Sequence, residues 1–267
     1  MDLAVGKKGA NIMKLCIIQA RMSSTRLRGK VLFGIDSKPM LLYMVERVRA
    51  AKKIDQLIIA TSTDISDNLI EEFCNDNKIS CYRGSLEDVL DRYYQAAVIF
   101  EASIIIRLTA DCPLIDPVMI DAVVGAYIDS DCDYAANAMP PPSTVPDGMD
   151  VEVFSFRALA RAWRESEKPS DREHVTFYFW KNPQYFNLLK YNLKQDFSKY
   201  RLTVDYKEDF EVIASVFKAL YPPNNLFSLY DIIAFLNQNP AVFKVNSMYK
   251  PNQGWVPSYK KDKRFGF

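Results

Sequence analysis

The first half of the chain alternates short apolar runs with amphipathic helical patterns, and this alternation restricts the fold more than any other feature. Segments 15–20 and 57–61 have the length and composition of strands that are buried on both faces. A β-α order repeated four times predicts a doubly wound α/β fold, with a mostly parallel sheet and helices on both of its faces. Ligands of such sheets bind beyond the C-terminal ends of the strands. The other elements of this half are predicted strands at 81–83 and 103–109 and helices at about 37–48, 66–77, 85–102 and 118–128.

Three of these helices carry residues that favour a helix start. Ser37 is placed as an N-cap, with Pro39 in the first turn. Ser85 and Asp88 have the spacing of a capping box, in which two side chains bind backbone N–H groups reciprocally. The pair at 116–117, Asp followed by Pro, caps the fourth helix in the same way as Ser37 caps the first.

The pattern changes after the proline-rich segment 139–143, which is a stiff break. We expect a single domain over 14–250, in which 134–198 is an inserted lid or dimerisation section. A polar leader at 1–13 and a tail at 251–267 flank this domain. The elements predicted after the break are a strand at 151–154, helices at 156–167 and 172–181, strands at 186–191 and 200–204, and a helix at 206–220.

Charge and cysteine content exclude several classes of protein. Among 267 residues, 34 Lys and Arg against 33 Asp and Glu give a formal charge of +1, so no bulk positive field exists to hold nucleic acid. No apolar run approaches the roughly 18 residues of a membrane span. Five scattered cysteines without a C-x-x-C pair, and the single His174, make a structural zinc site improbable. The leader lacks the apolar region of a secretory signal, and Met13 is an alternative translation start, so we expect a cytoplasmic protein.

The loop after the first strand concentrates cations and hydroxyls. Between positions 19 and 30 it holds four cations, among them Arg21, Arg26 and Lys30, together with three hydroxyls that include Ser24. Hydroxyls and backbone N–H groups bind phosphate oxygens while Arg and Lys neutralise them, which suits a triphosphate. The alternative is a solvated basic loop. Neither a P-loop nor a G-x-G-x-x-G motif occurs.

Two further segments carry candidate metal ligands. Arg107, Thr109 and Asp111 alternate with apolar residues at the end of the fourth strand and would share one face of the sheet. A carboxylate there repels a bound phosphate unless a divalent cation such as Mg²⁺ lies between them, and the alternative is a turn Asp before Pro. Asp205, with Glu208 three residues later, fits a helix capping box, so from its residues alone it is favoured as a cap.

The motifs taken together resemble one enzyme family. The sequence at 17–32, IIQARMSSTRLRGKVL, resembles the signature loop of the CMP-sugar synthetases, the cytidylyltransferases for Kdo and acylneuraminate, and is closer to the branch that resembles SpsF of spore coat polysaccharide biosynthesis. The similarity runs from about 14 to 220. Arg28 stands where the signature has proline, and Ala-Asp-Cys-Pro replaces the Gly-Asp-Glu-Pro of the Kdo enzymes, which argues against Kdo as substrate. Further matching segments are 107–116, 147–152, 172–176 and 203–205.

The resemblance implies a fold, an activity and a set of nucleotide-site residues. The fold is the Rossmann-like type of nucleotide-diphospho-sugar transferases. The activity is Mg²⁺-dependent transfer of CMP from CTP to a sugar, expected to be acidic, which gives a CMP-sugar and pyrophosphate for polysaccharide or glycan biosynthesis by a homodimer. The residues implied for the nucleotide are Ala20, Arg21, Ser24, Arg26, Lys30 and Arg92; those for catalysis are Arg26, Lys30 and Asp111; those for the metal are Asp111 and Asp205.

For Arg92 and for the residues that the resemblance implies for the sugar, alternative interpretations stay open. Arg92 is equally well explained as an exposed partner of Asp88. His174 would contact the sugar or transfer a proton, and the alternative is a structural histidine at a helix start. The acidic cluster at 147–152 is a polar turn in its plainest interpretation, and it suits a carboxylated sugar only if Arg107 or Arg172 offsets its charge. The residues implied for the sugar are Arg107, Thr109, Asp147, Asp150, Glu152, Arg172, Glu173 and His174.

Two rival functions remain at this point. Asp131 and Asp133 form a D-x-D, the metal motif of many glycosyltransferases, although a loop between helix and strand explains them more simply. A nucleotide-sugar glycosyltransferase would lose Mg²⁺-dependent activity when Asp133, rather than Asp111, is changed. A non-catalytic nucleotide-binding protein would bind nucleotide without releasing pyrophosphate.

Overall fold

The computed structural model describes residues 12–250, 254–264 and 266–267. Most of the predicted leader at 1–13, and part of the predicted tail at 251–267, therefore lie outside the described residues. The predicted limits of the domain stay predictions.

A seven-stranded sheet forms the centre of the protein, with strand order β5-β4-β1-β6-β8-β7-β9. Strands β1, β4, β5 and β6 run parallel, whereas β8 is antiparallel to both of its neighbours. A short hairpin, β2-β3, stands apart from this sheet. The strands are β1 Lys14–Gln19, β2 Gly34–Ile35, β3 Lys38–Pro39, β4 Gln56–Ser62, β5 Ser80–Gly84, β6 Ile104–Thr109, β7 Tyr134–Ala136, β8 Glu152–Ser155 and β9 Leu188–Lys190.

Helices cover both faces of the sheet, as the sequence predicts. Alternate residues of β1 enter two separate apolar clusters, Cys16 and Ile18 in one and Leu15 and Ile17 in the other, because successive side chains of a strand point to opposite faces. None of the helices within the described ranges is long and apolar enough to cross a membrane. The helices are α1 Met40–Arg49, α2 Asn68–Asp76, α3 Val89–Ile99, α4 Pro117–Ile128, α5 Phe156–Glu165, α6 Pro169–His174, α7 Phe177–Lys181, α8 Lys207–Leu220, α9 Leu229–Gln238, α10 Pro240–Lys244 and α11 Trp255–Arg264.

The topology places a switch point between β1 and β6. The chain moves outward from β1 through β4 to β5 and then returns across the sheet to β6, on the other side of β1. Ligands of such sheets bind in a crevice at the switch point, beyond the C-terminal ends of the strands. Gln19 pairs with Thr109 at this end, so the cationic loop and the Asp111 segment begin side by side.

The section predicted as an inserted lid also extends the main sheet. Its residues contribute β7, β8 and β9, which continue the sheet beyond β6. The helix predicted at 172–181 is two short helices, α6 and α7, because Val175 has a φ of 59° between them. A role of this section in dimerisation stays a prediction.

Of the three predicted helix starts, two differ from the predictions and one is confirmed. Ser37 is not an N-cap, because the β2-β3 hairpin extends through Pro39 and α1 begins only at Met40. Asp88, rather than Ser85, caps α3, by accepting from the N–H of Asp91 at 2.8 Å. The prediction for α4 is confirmed, since the Asp116 side chain accepts from the N–H of Val118 at 2.8 Å.

The segment before α8 departs most from the sequence prediction. The strand predicted at 200–204 is reduced to a single bridge between Arg201 and Asp147. The predicted capping box of Asp205 and Glu208 is wrong: Asp209 accepts from the N–H groups of Asp205 and Tyr206, at 2.9 and 3.0 Å. This arrangement leaves the Asp205 carboxylate free of capping, and side chains of the site bind it instead.

Candidate active site

The loop after β1 folds back and delivers Lys30 into the crevice. The N–H of Gly29 donates to the carbonyl of Met22 at 2.9 Å, and Gly29 takes a φ of +73°, which glycine adopts without strain. Lys30 follows in a single 3₁₀ turn and is only 6% exposed. Its ammonium is therefore fixed inside the site rather than solvated.

Lys30 joins Asp111 and Asp205, which lie almost a hundred residues apart in the sequence. Its Nζ lies 3.0 Å from Asp111 Oδ2 and 2.9 Å from Asp205 Oδ1, and it donates to the carbonyl of Val204 at 2.5 Å. Burial works to lower the Lys30 pKa, but the two carboxylates outweigh it and raise that pKa above its usual value. Burial likewise works to raise the pKa of Asp111, and Lys30 outweighs it and lowers that pKa.

Asp205 is the most heavily paired carboxylate of the site. Its Oδ1 accepts from Arg26 at 2.7 Å as well as from Lys30, and its Oδ2 accepts from Arg201 at 3.2 Å. Three cations thus share one carboxylate, whereas Lys30 is the only one of them that also reaches Asp111. Arg26 and Lys30 of the cationic loop are therefore held in place by acidic side chains of the protein itself.

Arg201 binds three carboxylates at once. Its guanidinium donates to Asp147 at 2.7 Å, to Asp205 at 3.2 Å and to both oxygens of Asp209, at 2.8 and 2.9 Å. The carboxylates outweigh burial and raise the Arg201 pKa above its usual value. This fork connects the 147–152 segment to the loop before α8, and so sets the distance between the two acidic segments.

Two adjoining pockets open around this network, with about 730 and 970 Å³ of empty space that includes open solvent at their mouths. The first lies over the cationic loop and the second over the acidic segments. Predicted residues that line the first are Ala20, Arg21, Ser24, Arg26, Lys30, Arg92, Thr109, Asp111, Glu173 and His174. Predicted residues that line the second are Arg26, Arg107, Thr109, Asp111, Asp147, Asp150, Glu152, His174 and Asp205.

Arg92 and Arg107 belong to the pocket walls, but both are engaged with protein groups. Arg92 is 2% exposed and donates to the carbonyls of Ser85 and Leu86, so its interpretation as an exposed partner of Asp88 is wrong. Arg107 forms an ion pair with Glu152. Both guanidinium groups are therefore already bound to groups of the protein.

Arg172 and the D-x-D pair lie elsewhere. Arg172 lines neither pocket; its guanidinium binds Asp88, with Nε at 2.9 Å, and the carbonyl of Trp163. Arg172 therefore connects α6 to α3. Its predicted position beside the sugar is wrong, because it lines neither pocket. Asp133 pairs with the exposed Arg157, and neither Asp131 nor Asp133 lines either pocket, so the metal pair expected of a glycosyltransferase is outside the site.

Two carboxyls of the second pocket are poorly compensated. Burial raises the pKa of Asp147 to about 6, with further contributions from neighbouring acids against the opposing effect of Arg201. Burial and the charges of Asp147, Glu152 and Asp111 raise the pKa of Asp150 well above its usual value. Acids that hold protons near neutral pH can exchange hydrogen bonds with the hydroxyls of a sugar.

Comparison with known proteins decides the family. A family model described as cytidylyltransferase matches residues 15–243. The chain belongs to the cytidylyltransferase family. It is therefore a nucleotidyltransferase, and the family supports transfer of CMP from CTP to a sugar, with both as substrates.

Individual relatives cover most of this cytidylyltransferase. The spore coat polysaccharide biosynthesis protein SpsF of Bacillus subtilis is 38% identical over 236 residues, which cover 85% of this chain and 95% of SpsF. An uncharacterised protein of Methanocaldococcus jannaschii, MJ1063, is 35% identical over 233 residues, covering 86% of this chain and 93% of that protein. The structure of a cytidylyltransferase from Leptospira borgpetersenii superposes with a TM-score of 0.84 at 32% identity, covering 90% of this chain and all of that one. The resemblance to the SpsF-like branch and the α/β fold are thereby confirmed.

The carboxylates of the site show whether Mg²⁺ could be held there. Within the described part of the chain, no group of three or more His, Cys, Asp or Glu residues is arranged to hold a metal ion by itself. Asp111 and Asp205 nevertheless converge on one atom, Lys30 Nζ. Mg²⁺ takes one or two carboxylates from a protein when substrate phosphates complete its shell. The residues fit a Mg²⁺ that is shared with a nucleotide, and not one that the protein holds alone.

Four residues of the site were not among the predicted ones. Gln19 lines both pockets, and its Oε1 has no hydrogen-bond partner among the residues that the structure describes. Gln19 lies within the 17–32 motif, and Arg201 lies just before the 203–205 motif. Gln19 could have been identified because it is a polar residue at the end of a buried strand. Trp255 lines the second pocket from α11, and Ser258 of the same helix contacts His174. No periodicity or motif places a C-terminal helix over the site.

Proposed function

We propose that this cytidylyltransferase catalyses Mg²⁺-dependent transfer of CMP from CTP to a sugar, giving a CMP-sugar and pyrophosphate for polysaccharide or glycan biosynthesis. The observation that carries the proposal is the junction of Arg26, Lys30, Asp111 and Asp205 at the carboxyl ends of β1 and β6. Cations from a triphosphate-type loop and two carboxylates meet there within hydrogen-bond distance. The first pocket is the proposed CTP site and the second is the proposed sugar site.

The ion pairs of the site indicate how CTP enters it. Lys30 and Arg26 neutralise Asp111 and Asp205, and a triphosphate presents stronger anionic acceptors to the same two cations. When Lys30 and Arg26 turn to the phosphates, Asp111 loses its cation and Asp205 keeps only Arg201 of its three cations. A buried carboxylate without a partner is unfavourable, so these aspartates then favour a divalent cation.

Mg²⁺ bound between Asp111, Asp205 and the nucleotide would neutralise charge on the reacting phosphate and lower the pKa of the attacking hydroxyl. The protein's own residues contribute to the reaction through their positions around the substrates. Arg26 and Lys30 stabilise the charge that develops on the α-phosphate and on the departing pyrophosphate. Gln19 lines both pockets, and its Oε1 is buried without a hydrogen-bond partner among the described residues, so a small rotation of the side chain would be needed before it could accept from a substrate.

The second pocket suits a hydroxyl-rich acceptor. Asp147 and Asp150 present oxygens and protons for sugar hydroxyls, and Trp255 and Phe177 provide an apolar face. The acidic sugar expected from the family resemblance is not part of this proposal, because the two arginines on which it depended are engaged: Arg107 with Glu152 and Arg172 with Asp88. A homodimer and a cytoplasmic location stay predictions.

The decisive experiment measures pyrophosphate release with each of the four NTPs, with and without Mg²⁺, across a panel of neutral, amino and acidic sugars. We expect release with CTP, Mg²⁺ and at least one sugar, and a rise in melting temperature with CTP plus Mg²⁺ alone. Asp111→Asn is expected to abolish release, whereas the matched control Asp133→Asn keeps it. Failure of CTP plus Mg²⁺ to raise the melting temperature would refute the proposal without reference to any sugar.

A further inference from the structure

Helix α11 lies beyond the part of the chain that the family model matches, which ends at residue 243, and yet it borders the site. Its first residue, Trp255, packs edge-on against Phe177 with ring centroids 5.1 Å apart, and both rings line the second pocket. At Gly254, just before the helix, an added Cβ would lie 3.4 Å from Arg26 Nη2. The helix therefore begins between the sugar pocket and the nucleotide loop.

Specific hydrogen bonds hold α11 against α6. The N–H of Ser170 donates to Asp262 Oδ1 at 2.8 Å, and Lys261 forms an ion pair with Glu173 at 3.4 Å. Ser258 is 1% exposed, and Asp262 is also buried. A helix that merely rested on the surface would not bury its polar residues in this way, because a buried polar group without a partner is unfavourable.

Ser258 connects α11 to His174 through a short relay. Its Oγ donates to Glu173 Oε2 at 2.9 Å and lies 2.8 Å from His174 Nε2. A serine hydroxyl has one proton to donate, and the carboxylate of Glu173 can only accept. Ser258 Oγ must therefore accept from His174, which makes His174 the Nε2–H tautomer and leaves the lone pair on Nδ1.

The surroundings of His174 keep its ring neutral. Burial lowers the His174 pKa to about 4, with Arg107, Lys181 and Arg21 acting in the same direction and Glu173 opposing them. His174 lines both pockets, so it borders the place where a sugar hydroxyl would meet the nucleotide. An anionic triphosphate in the first pocket would raise the His174 pKa again, since nearby negative charge favours the imidazolium.

We propose that Ser258 of α11 is a positioning residue that holds His174 as the base for the acceptor hydroxyl. The hydroxyl O–H bond breaks as its oxygen bonds to the α-phosphorus, the bond from that phosphorus to the pyrophosphate oxygen breaks, and the proton passes to His174 Nδ1. The proton then leaves to solvent or to pyrophosphate. This inference rests on the proposed function, because it assigns a proton acceptor to the same reaction.

The first test needs no substrate, because His174 is the only histidine in the chain. In protein labelled with ¹⁵N-histidine, the wild type is expected to show a neutral ring with a protected Nε2–H signal. Ser258→Ala removes the acceptor of that proton, so we expect the Nε2–H to exchange at least about tenfold faster. Tyr259→Phe removes the neighbouring hydroxyl of the same helix and is expected to leave the signal unchanged. An unchanged signal in Ser258→Ala would overturn the proposal.

The second test uses wild-type enzyme with CTP, Mg²⁺ and a sugar from the panel that releases pyrophosphate. We expect Ser258→Ala to lower kcat about tenfold, a fraction of what a well-placed base contributes, and to leave KM for CTP unchanged. Ser258→Thr, which keeps the hydroxyl, is expected to recover most of this loss. A wild type that releases no pyrophosphate refutes the proposed function, whereas the histidine spectrum still decides the arrangement of Ser258.

A double variant separates positioning from a general weakening of the fold. If Ser258 acts through His174, Ser258→Ala is expected to have no further effect on kcat once His174→Gln is present, because residues that act as a unit are not additive. A purely structural contribution of Ser258 would lower kcat by the same factor in both backgrounds. That additive result, or a kcat unaffected by His174→Gln, would contradict the assignment.

Discussion

Arg201 is the residue whose removal most directly tests the account of the site. Its side chain is 9% exposed and binds the carboxylates of Asp147, Asp205 and Asp209 with four hydrogen bonds. In Arg201→Leu, Asp205 retains Arg26 and Lys30, whereas Asp147 loses the cation that binds it. Asp209, which is fully buried, retains only neutral donors, among them the Asn246 amide at 2.9 Å.

The expected loss follows from the buried ion pairs. Removing one partner of a buried pair costs about 3–5 kcal/mol, because the other charge is left uncompensated. Against a total stability of about 5–15 kcal/mol, such a loss is large. With a urea m-value of about 3 kcal/mol/M for a chain of this size, the unfolding midpoint would fall by about 1–2 M.

A matched control is provided by Arg157, which forms one ion pair with Asp133 and is 87% exposed. Arg157→Leu removes the same charge, and an exposed pair contributes only about 0–1 kcal/mol. Urea denaturation followed by circular dichroism would compare the two variants. If Arg201→Leu and Arg157→Leu lower the midpoint equally, or if Arg201→Leu loses less than about 1 kcal/mol, the reasoning about the buried fork is wrong.

Three other predictions concern separate features of the site. Gly148→Ala is expected to destabilise the protein by at least about 2 kcal/mol in urea denaturation, because Gly148 has a φ of +103° and an added Cβ would lie 2.5 Å from the N of Thr203; a loss below about 0.5 kcal/mol would contradict this. Because the folded-state pKa of Asp147 is raised to about 6 from 3.8, the folded protein binds the extra proton between these values, and stability falls as pH rises from 4 to 7. The shift corresponds to about 3 kcal/mol, so in urea titrations with EDTA the wild type is expected to lose about that much relative to Asp147→Asn over this range; parallel pH profiles would disprove it. Arg172→Ala is expected to lower the melting temperature, because Arg172 binds Asp88 and a carbonyl, while KM for both substrates stays unchanged; a selective rise in KM for the sugar would restore Arg172 to the sugar site.

The sequence predicts the parts of this protein that depend on local pattern. Buried strands followed by helical periodicity identify the α/β fold, and the cations that follow β1 identify the nucleotide loop, because both signals lie within one segment. The predicted meeting of Asp111 and Asp205 at the loop also holds, since both bind Lys30. This success needed the family resemblance, because the residues around Asp205 alone favoured a helix cap.

The parts that the sequence did not predict depend on long-range partners. Asp209, rather than Asp205, caps α8, because Arg26, Lys30 and Arg201 bind the Asp205 carboxylate in the site. Arg172 was assigned to the sugar from a motif, whereas its partner Asp88 lies 84 positions earlier in the sequence. When a side chain has several possible partners of similar energy, sequence spacing cannot identify the actual partner, because the fold decides which one is near.

The near-zero net charge of the whole chain and the paired charges inside the site are related. A protein with a net charge of +1 cannot attract a triphosphate through its overall field, so the cations that bind it must be concentrated in one place. Cations that are close together repel each other when no anionic ligand is bound. Here Asp111 and Asp205 neutralise Arg26 and Lys30. In the proposed reaction, the same two acids would hold Mg²⁺ once the nucleotide binds Arg26 and Lys30. The aspartates thus stabilise the loop without a ligand and, under the proposed function, would complete the site with one, so that a single junction of four side chains would serve folding and chemistry in turn.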